Sequence, residues 1–321
     1  MSDQLPPLDL PGSIAGAEPD FADRADPLGA EPGRFDSPWR RILRRFLRDK
    51  AAVTGLFLSG ALILVGIFAP LLERYPYTDT NIPGSAPYLL PSREFWLGTD
   101  SAGRDIYSRL VVGTRASLFV AGLVVVFAAL VALPLGLIAG YFGRWIDSTI
   151  MRCMDALFTF PALTFSLAVV ALLGNSLVNA AIAISISFVP GFVRLVRAQV
   201  LTIREETFVE ASRAVGASHG RMLRKHVFPN TVSPIIVQLA LALGYAILAE
   251  AGLGFLGYGV QIPEPSWGNM LQDGYGNITT SGWQMIPPGV AILIAVLAFN
   301  LVGDGFRDAL GRAAYSPKAE S

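Results

Sequence analysis

Charge and reactive side chains are scarce in this sequence. Of its 321 residues only 16% are Asp, Glu, Lys or Arg, and it has one cysteine and two histidines. A lone Cys153 excludes an internal disulfide. That thiol with His219 and His226 cannot make a zinc constellation or a nucleophile–base pair with its orienting partner. HExxH and P-loop spacings are absent, and so is any internal repeat. A membrane enzyme would therefore lack reacting groups. The formal net charge is zero, so bulk charge names no partner, nucleic acid included.

Apolar residues fill the space. They make up 52% of the chain, and mean hydropathy is +0.49, both too high for an ordinary soluble domain. Residues 1–38 are the exception, with eight acids, two arginines and seven prolines. They have no apolar periodicity, which predicts a disordered tail. Acids rather than a basic segment lead the chain, so it does not read as a signal peptide. A second short tail is expected over 312–321.

Trp39 to Lys50, WRRILRRFLRDK, changes character. Trp39, Ile42, Leu43, Phe46 and Leu47 recur at helical spacing, with arginines opposite. This predicts a short helix lying on an anionic lipid surface. A spanning helix needs about 20 mostly apolar residues. Uncharged runs cover 51–72, 116–143, 156–193, 231–249 and 285–302. The third is 38 residues long, too long for one span, and Gly174-Asn175-Ser176 divides it. The expected architecture is all-α, a polytopic bundle of six transmembrane helices. Pro134, Pro161, Pro190 and Pro234 fall in or at the ends of spans, where neighbouring helices tolerate kinks.

Six spans put both termini on one side. If that side is the cytoplasm, inner segments hold 20 of the 25 basic residues. The remaining five, Arg74, Arg93, Arg104, Arg109 and Arg115, lie in an outer segment over 73–115. Positive charge therefore favours cytoplasmic termini. The remainder, 116–311, forms the core with its polar loop over 199–230.

That loop contains EASRAVGASHGRMLRKHVFPN, Glu210 to Asn230. Thr207 and Glu210 have capping-box spacing, and Gly216 suits a helix C-terminus. Ser218 can cap a second helix that closes before Pro229. Two short helices at a glycine corner would project from the bilayer as a knob. On residue types alone such a knob is a docking surface or simply a packed connector.

The segment resembles the cytoplasmic signature of ABC importer permeases. Glu210-Ala211-Ser212, then Gly216, then Pro229 match its Glu-Ala-Ala, glycine and proline positions, with Ser212 in place of the second alanine. Leu97–Leu118, LGTDSAGRDIYSRLVVGTRASL, is similar to the peptide and nickel branch before its second span. YFGRWIDSTIMRCMDALFTFPAL, LGFLGYGVQIPEPSWGNML and NLVGDGFRDAL extend the likeness over roughly 40–311. The whole most resembles the C-type subunit of dipeptide and oligopeptide importers.

The resemblance implies a type I importer permease in a bacterial inner membrane. It implies no catalysis and no cofactor in this chain, with ATP and Mg held by two partner ATPase subunits. A second, B-type permease and a substrate-binding protein would complete the assembly. Glu210, Ala211, Ser212, Arg213, Gly216 and Pro229 would form the coupling helix seated in an ATPase cleft. Arg213, Arg221, Arg224 and Lys225 would supply charge complementarity there, or simply hold the loop inside. Nickel or a nickel chelate is the alternative cargo, and an ion-driven secondary transporter the alternative class, though its usual mid-membrane charges are missing.

Outside, Pro263, Pro265 and Trp267 predict a stiff loop whose indole leans into the cavity mouth or anchors at the interface. Glu250 is the one acid near a span, and 18 residues from Val232 place it about 27 Å along the helix, at a water-accessible outer boundary. Glu250, Pro265 and Trp267 are thus expected at the outer gate or the binding-protein contact. Gly252–Gly257 fits GxGxxG but has no βαβ unit around it. Gly136 and Gly140 form a GxxxG suited to a helix contact. The sequon at Asn277 reads as chance, and His219 and His226 as caps or partner contacts.

Overall fold

The computed structural model describes residues 38–314. All but the last residue of the 1–38 tail lies outside the described residues, as does 315–321. Among the described residues the chain is helical, with one isolated bridge between Thr99 and Asp105.

The chain enters through α1, Pro38–Phe46, and turns into α2, Lys50–Ile67. Asp49 caps α2, its carboxylate accepting the Ala51 and Ala52 amides at 2.8 and 3.3 Å. A short α3, Ala69–Leu72, leads to an irregular stretch. Then α4 runs from Ile106 to Phe142, 37 residues. At 1.5 Å per residue it is about 55 Å long, well beyond a hydrocarbon core of about 30 Å. It starts ten residues before the uncharged run because Asp105 caps it, accepting the Ser108 amide at 2.9 Å. Arg109 and Arg115 therefore sit on the helix rather than in a loop.

Gly143 reverses the chain into α5, Arg144–Phe158, followed by α6, Ala162–Leu173. These two are bent by 89° at their junction. A straight third span beginning at 156 is thus replaced by a broken one. Pro161 explains it: proline has no N–H to give and disfavours helical backbone at Phe160. Alone, the 12 residues of α6 reach about 18 Å, too short to cross. The tight turn at 174–176 forms as expected, and Ser176 caps α7, Leu177–Arg204, through the Asn179 amide at 3.1 Å.

After α7 come α8, Thr207–Ala214, then α9, His219–Met222, a π-helical turn over Leu223–Val227, and α10, Phe228–Phe255. The chain closes with α11, Trp267–Gly276, a 3-10 turn over Gly282–Met285, and α12, Ile286–Ala314. Among the described residues five helical stretches are long and apolar enough to cross a membrane, and the bent pair, counted as one span, makes six.

Small residues set the packing. A Cβ on Gly136 would stand 2.6 Å from the Val196 Cβ, and one on Gly140 2.7 Å from the Val200 Cβ. The paired numbers rise together, so α4 and α7 run parallel in near backbone contact. In lipid this is how helices associate, because apolar tails provide no hydrophobic drive between them. The α10–α12 pair is antiparallel: Gly244 meets Val296 and Asn300, while Gly303 meets Leu241. Gly55 of α2 fits against Ala298 and Leu301 of α12. Val120, Val124 and Ala128 of α4, Ala180 and Ile184 of α7, Ala246 of α10 and Ala295 of α12 fill the centre. Pro134, Pro190 and Pro234 lie inside α4, α7 and α10. The bundle has two ends: one bears α1, α8 and the close of α12, and the other bears residues 73–105 and α11.

Gly136→Ile should lower the melting temperature of the detergent-solubilised protein, since overpacking at such a seam costs about 1–3 kcal/mol. Gly122→Ala, on the same helix with nothing within 4 Å of its Cβ, should leave it unchanged or raise it, because alanine is the better helix former by about 1 kcal/mol. Equal melting temperatures for Gly136→Ile and wild type would refute the seam.

Candidate functional site

At the α8 end the polar loop forms a compact knob. Glu206, not Thr207, is the N-cap of α8, with no side-chain cap bond. The expected capping box is therefore absent: Thr207 already has helical backbone and is the first residue of the helix. Its C-terminus is a Schellman motif. The Ala217 amide donates to the Ser212 carbonyl at 3.1 Å and the Gly216 amide to Arg213 at 3.0 Å. Gly216 holds φ at +83° with open space around it. The need for glycine is thus conformational, not steric. Ser212 fits where alanine was expected because its hydroxyl donates to the Phe208 carbonyl at 2.7 Å.

The second helix does not close before Pro229. Ser218 sits at the N-cap of α9 without a side-chain bond, and helix continues from His219 to Phe255. The π turn accommodates this. Phe228 donates to Leu223 five residues back, and the widened turn relieves the clash between the Pro229 ring and the preceding carbonyls.

The knob has its own core. Val209 of α8, Met222 of α9 and Val227 are buried against Val196 and Val200 of α7, Tyr141 of α4 and Ile235 of α10. His219 bonds the Tyr141 hydroxyl through Nδ1 at 2.9 Å and packs edge-on to its ring. Instead of capping a helix, this histidine ties the knob to the end of α4. Arg204 ties α7 to the same place, donating to the Tyr141 carbonyl at 3.2 Å. His226 lies beside Phe208.

What the knob shows outward is mixed. Glu210, Ala211, Arg213, Gly216 and Pro229 are exposed, and Ser212 is half-buried. Among the described residues the Glu210 carboxylate has no partner within the chain. Val215 is 89% exposed, and Phe208 is exposed as well. A cleft of about 390 Å³ beside them is lined by Ala211, Ser212, Val215, Gly216 and Arg221. Solvated apolar groups beside an uncommitted carboxylate and several cations suit the rim and centre of a protein contact. Val215 and Phe208 escaped sequence reasoning because an apolar residue in a short helix reads as core.

The opposite end is a folded cap rather than a loose loop. Asp100 accepts the Ala102 and Arg104 amides at 2.9 Å each and pairs with the Arg104 and Arg109 guanidiniums at 2.7 and 3.3 Å. Ser101 reaches Asp273 of α11 at 2.7 Å, Tyr88 reaches Asn277 at 2.8 Å, and the Trp283 indole donates to the Leu97 carbonyl at 2.9 Å. Asn277, the sequon residue, is thus part of the cap's bonding.

Trp267 corrects both expectations. It is 0% exposed, so it neither leans into a mouth nor anchors at an interface. Its amide donates to the Ser117 hydroxyl at 3.2 Å and its indole approaches the Leu110 carbonyl at 3.4 Å. Ser266 before it closes a capping box with Asn269. Pro265 is buried too, lining a cleft of about 410 Å³ at the cap end with Glu73, Tyr77, Arg115 and Glu264. Glu250 is 1% exposed, so the expected contact with outside water is absent. Neither carboxyl oxygen has a hydrogen bond of ordinary geometry. The Ser117 and Ser266 hydroxyls lie alongside. The outer boundary was placed from helical rise alone, which cannot see α11 folding back over the end of α10.

The family described as the binding-protein-dependent transport system inner membrane component matches residues 132–314. The N-terminal transmembrane domain of oligopeptide transport permease C matches residues 37–91. This chain belongs to the binding-protein-dependent inner membrane permease family, and it is accordingly a multi-pass inner-membrane protein. It is 48% identical, over 85% of its length and 90% of the relative's, to the dipeptide transport system permease protein DppC of Alkalihalophilus pseudofirmus. It is 41% identical to the glutathione transport system permease protein GsiD of Pectobacterium atrosepticum, over 85% of this chain and 91% of that one. The fold is similar to that of an inward-facing MetNI methionine ABC transporter, at a TM-score of 0.53 and 21% identity, covering 63% of this chain and 95% of that one.

Glu250→Gln should preserve folded yield and the melting temperature, because a neutral amide of the same shape suits two serine hydroxyls in an enclosed site. Glu250→Lys should cost about 3 kcal/mol and collapse the yield. Normal melting of Glu250→Lys in detergent would show that the site is open to water.

Proposed function

We propose that this chain forms one half of the translocation pathway of an ATP-driven importer of dipeptides or oligopeptides. The observation that carries the cargo is the dipeptide permease relative, aligned over 85% of this chain and 90% of its own. A relative named for glutathione transport, itself a small peptide, agrees. Neither is named for nickel.

In this reading the α8 end faces the cytoplasm, where its arginines and lysines favour it. The chain carries out no reaction. Its work is mechanical, and the hydrolysis of ATP belongs to two partner ATPases. Glu210, Ala211, Ser212 and Arg213 on α8 seat in one ATPase, with exposed Val215 as the apolar anchor and Gly216 fixing the corner. Pro229 sits just beyond the widened turn that carries the corner into α10. A second permease chain lines the other half of the pathway. The cap, braced by Trp267 and Pro265 with Glu250 enclosed beneath it, receives the binding protein. Closure of the ATPases displaces the knobs, and the bundles rock as packed bodies between two exposures.

The test is Gly216→Val in the assembled transporter reconstituted in vesicles with binding protein and labelled dipeptide. A β-branched residue in left-handed backbone costs about 1–2 kcal/mol, enough to redirect the corner. Peptide uptake per ATP hydrolysed should fall at least about tenfold while the ATPases still co-purify. Gly216→Asn, whose side chain tolerates that backbone, should keep most of the uptake. Wild-type coupling in Gly216→Val would remove the knob from the mechanism. A wild-type transporter whose ATP hydrolysis is stimulated by the binding protein but which takes up no dipeptide would remove the peptide cargo alone.

A further inference from the structure

The short first helix does more than lie on a surface. Ile42 and Phe46 of α1 are buried against α12 and the start of α2. The Phe46 ring stands 4.6 Å from that of Phe306, and Gly305 leaves no room for a side chain between Phe46 and Ala52. This rigid junction opens a cleft of about 620 Å³, lined by Arg45, Arg48, Asp49, Lys50, Gly305 and Asp308. Three cations face two carboxylates there, and one of these, Asp49, is already committed to the α2 amides. Arg45 Nη1 is buried and has no hydrogen-bond partner. A charged donor without an acceptor is costly to keep from water, so Arg45 Nη1 is suited to donate to an anion entering the cleft.

We propose that this cleft binds the phosphodiester of an anionic membrane phospholipid. Guanidinium forks suit phosphate oxygens in geometry and charge. Leu43 on α1 and Leu47 in the turn just after it are exposed, which places acyl chains beside the junction and favours lipid over a free anion. The lipid would fasten α1 to the start of α2 and the end of α12. The site follows from the membrane location and is independent of what the pathway carries.

The complete transporter, purified in mild detergent, should retain about one anionic phospholipid per copy of this chain by native mass spectrometry. Arg45→Gln with Arg48→Gln should lower that retention at least about tenfold, two surface cations being lost. Arg48→Gln with Lys50→Gln should do the same while leaving half-buried Arg45 in place, which guards against a folding artefact. Arg40→Gln, outside the cleft, should have no effect. In nanodiscs, phosphatidylglycerol should restore binding where phosphatidylcholine does not. Retention unchanged in both double variants overturns the site. Equal loss in Arg40→Gln overturns it in favour of diffuse surface charge. Displacement of the lipid by millimolar inorganic phosphate overturns the lipid assignment.

Discussion

The close approach of α4 and α7 is the constraint on which the rest depends. Gly136 and Gly140 bring the two backbones together against Val193, Val196 and Val200, and dispersion between tightly fitted atoms holds them there. Both helices close at the α8 end, and both closing turns are used. Tyr141 at the close of α4 grips His219, and Arg204 at the close of α7 grips the Tyr141 carbonyl. The knob is therefore fixed to a two-helix beam and cannot turn on a loose tether. In the mechanism proposed above, a push on α8 would move the beam, because packed interiors transmit strain.

The far end of the same beam explains the cap. Ser117 of α4 accepts the Trp267 amide, so α11 is fixed to the helix that also holds the knob. The cap's loop is drawn over α11 and the 3-10 turn by Ser101, Tyr88 and Trp283. Glu250 lies under this fold, with serines alongside and no bond of its own. An enclosed acid of this kind is expensive wherever water is excluded. The cost falls if α11 lifts, because water then reaches the carboxyl.

Much of this was legible in the sequence, for definite reasons. Spans followed from uncharged runs because lipid tolerates little else, and Gly136–Gly140 read as a contact because only small residues let helices meet. Gly216 read as a corner because few residues adopt positive φ. What failed was local or long-range. Thr207 and Glu210 have capping-box spacing, yet the helix begins one residue earlier, at a cap that spacing cannot weigh. Pro229 looked like a stop, but a π turn carries the helix past it. Pro161 has the opposite outcome, breaking a span whose apolar run is unbroken. Glu250 and Trp267 were misplaced because their burial depends on α11, whose return over α10 leaves no periodic signal.

Those failures share a cause that bears on mechanism. Each lies where the chain departs from a straight helix: the π turn at Leu223–Val227, the bend at Pro161, the cap over Glu250. In lipid, backbone groups must be satisfied inside the helix, which makes spans regular and readable. Irregular backbone persists only where protein covers it or a polar space relieves it. The sites that sequence reasoning missed are therefore the sites where the bundle departs from rigid rods, and in the mechanism proposed above flexing would fall at such departures. The π turn stands between the knob and α10, and the Pro161 bend stands between the α4–α7 beam and α6. Motion of the beam relative to α6 and α10 can be taken up there without opening any backbone hydrogen bond to lipid.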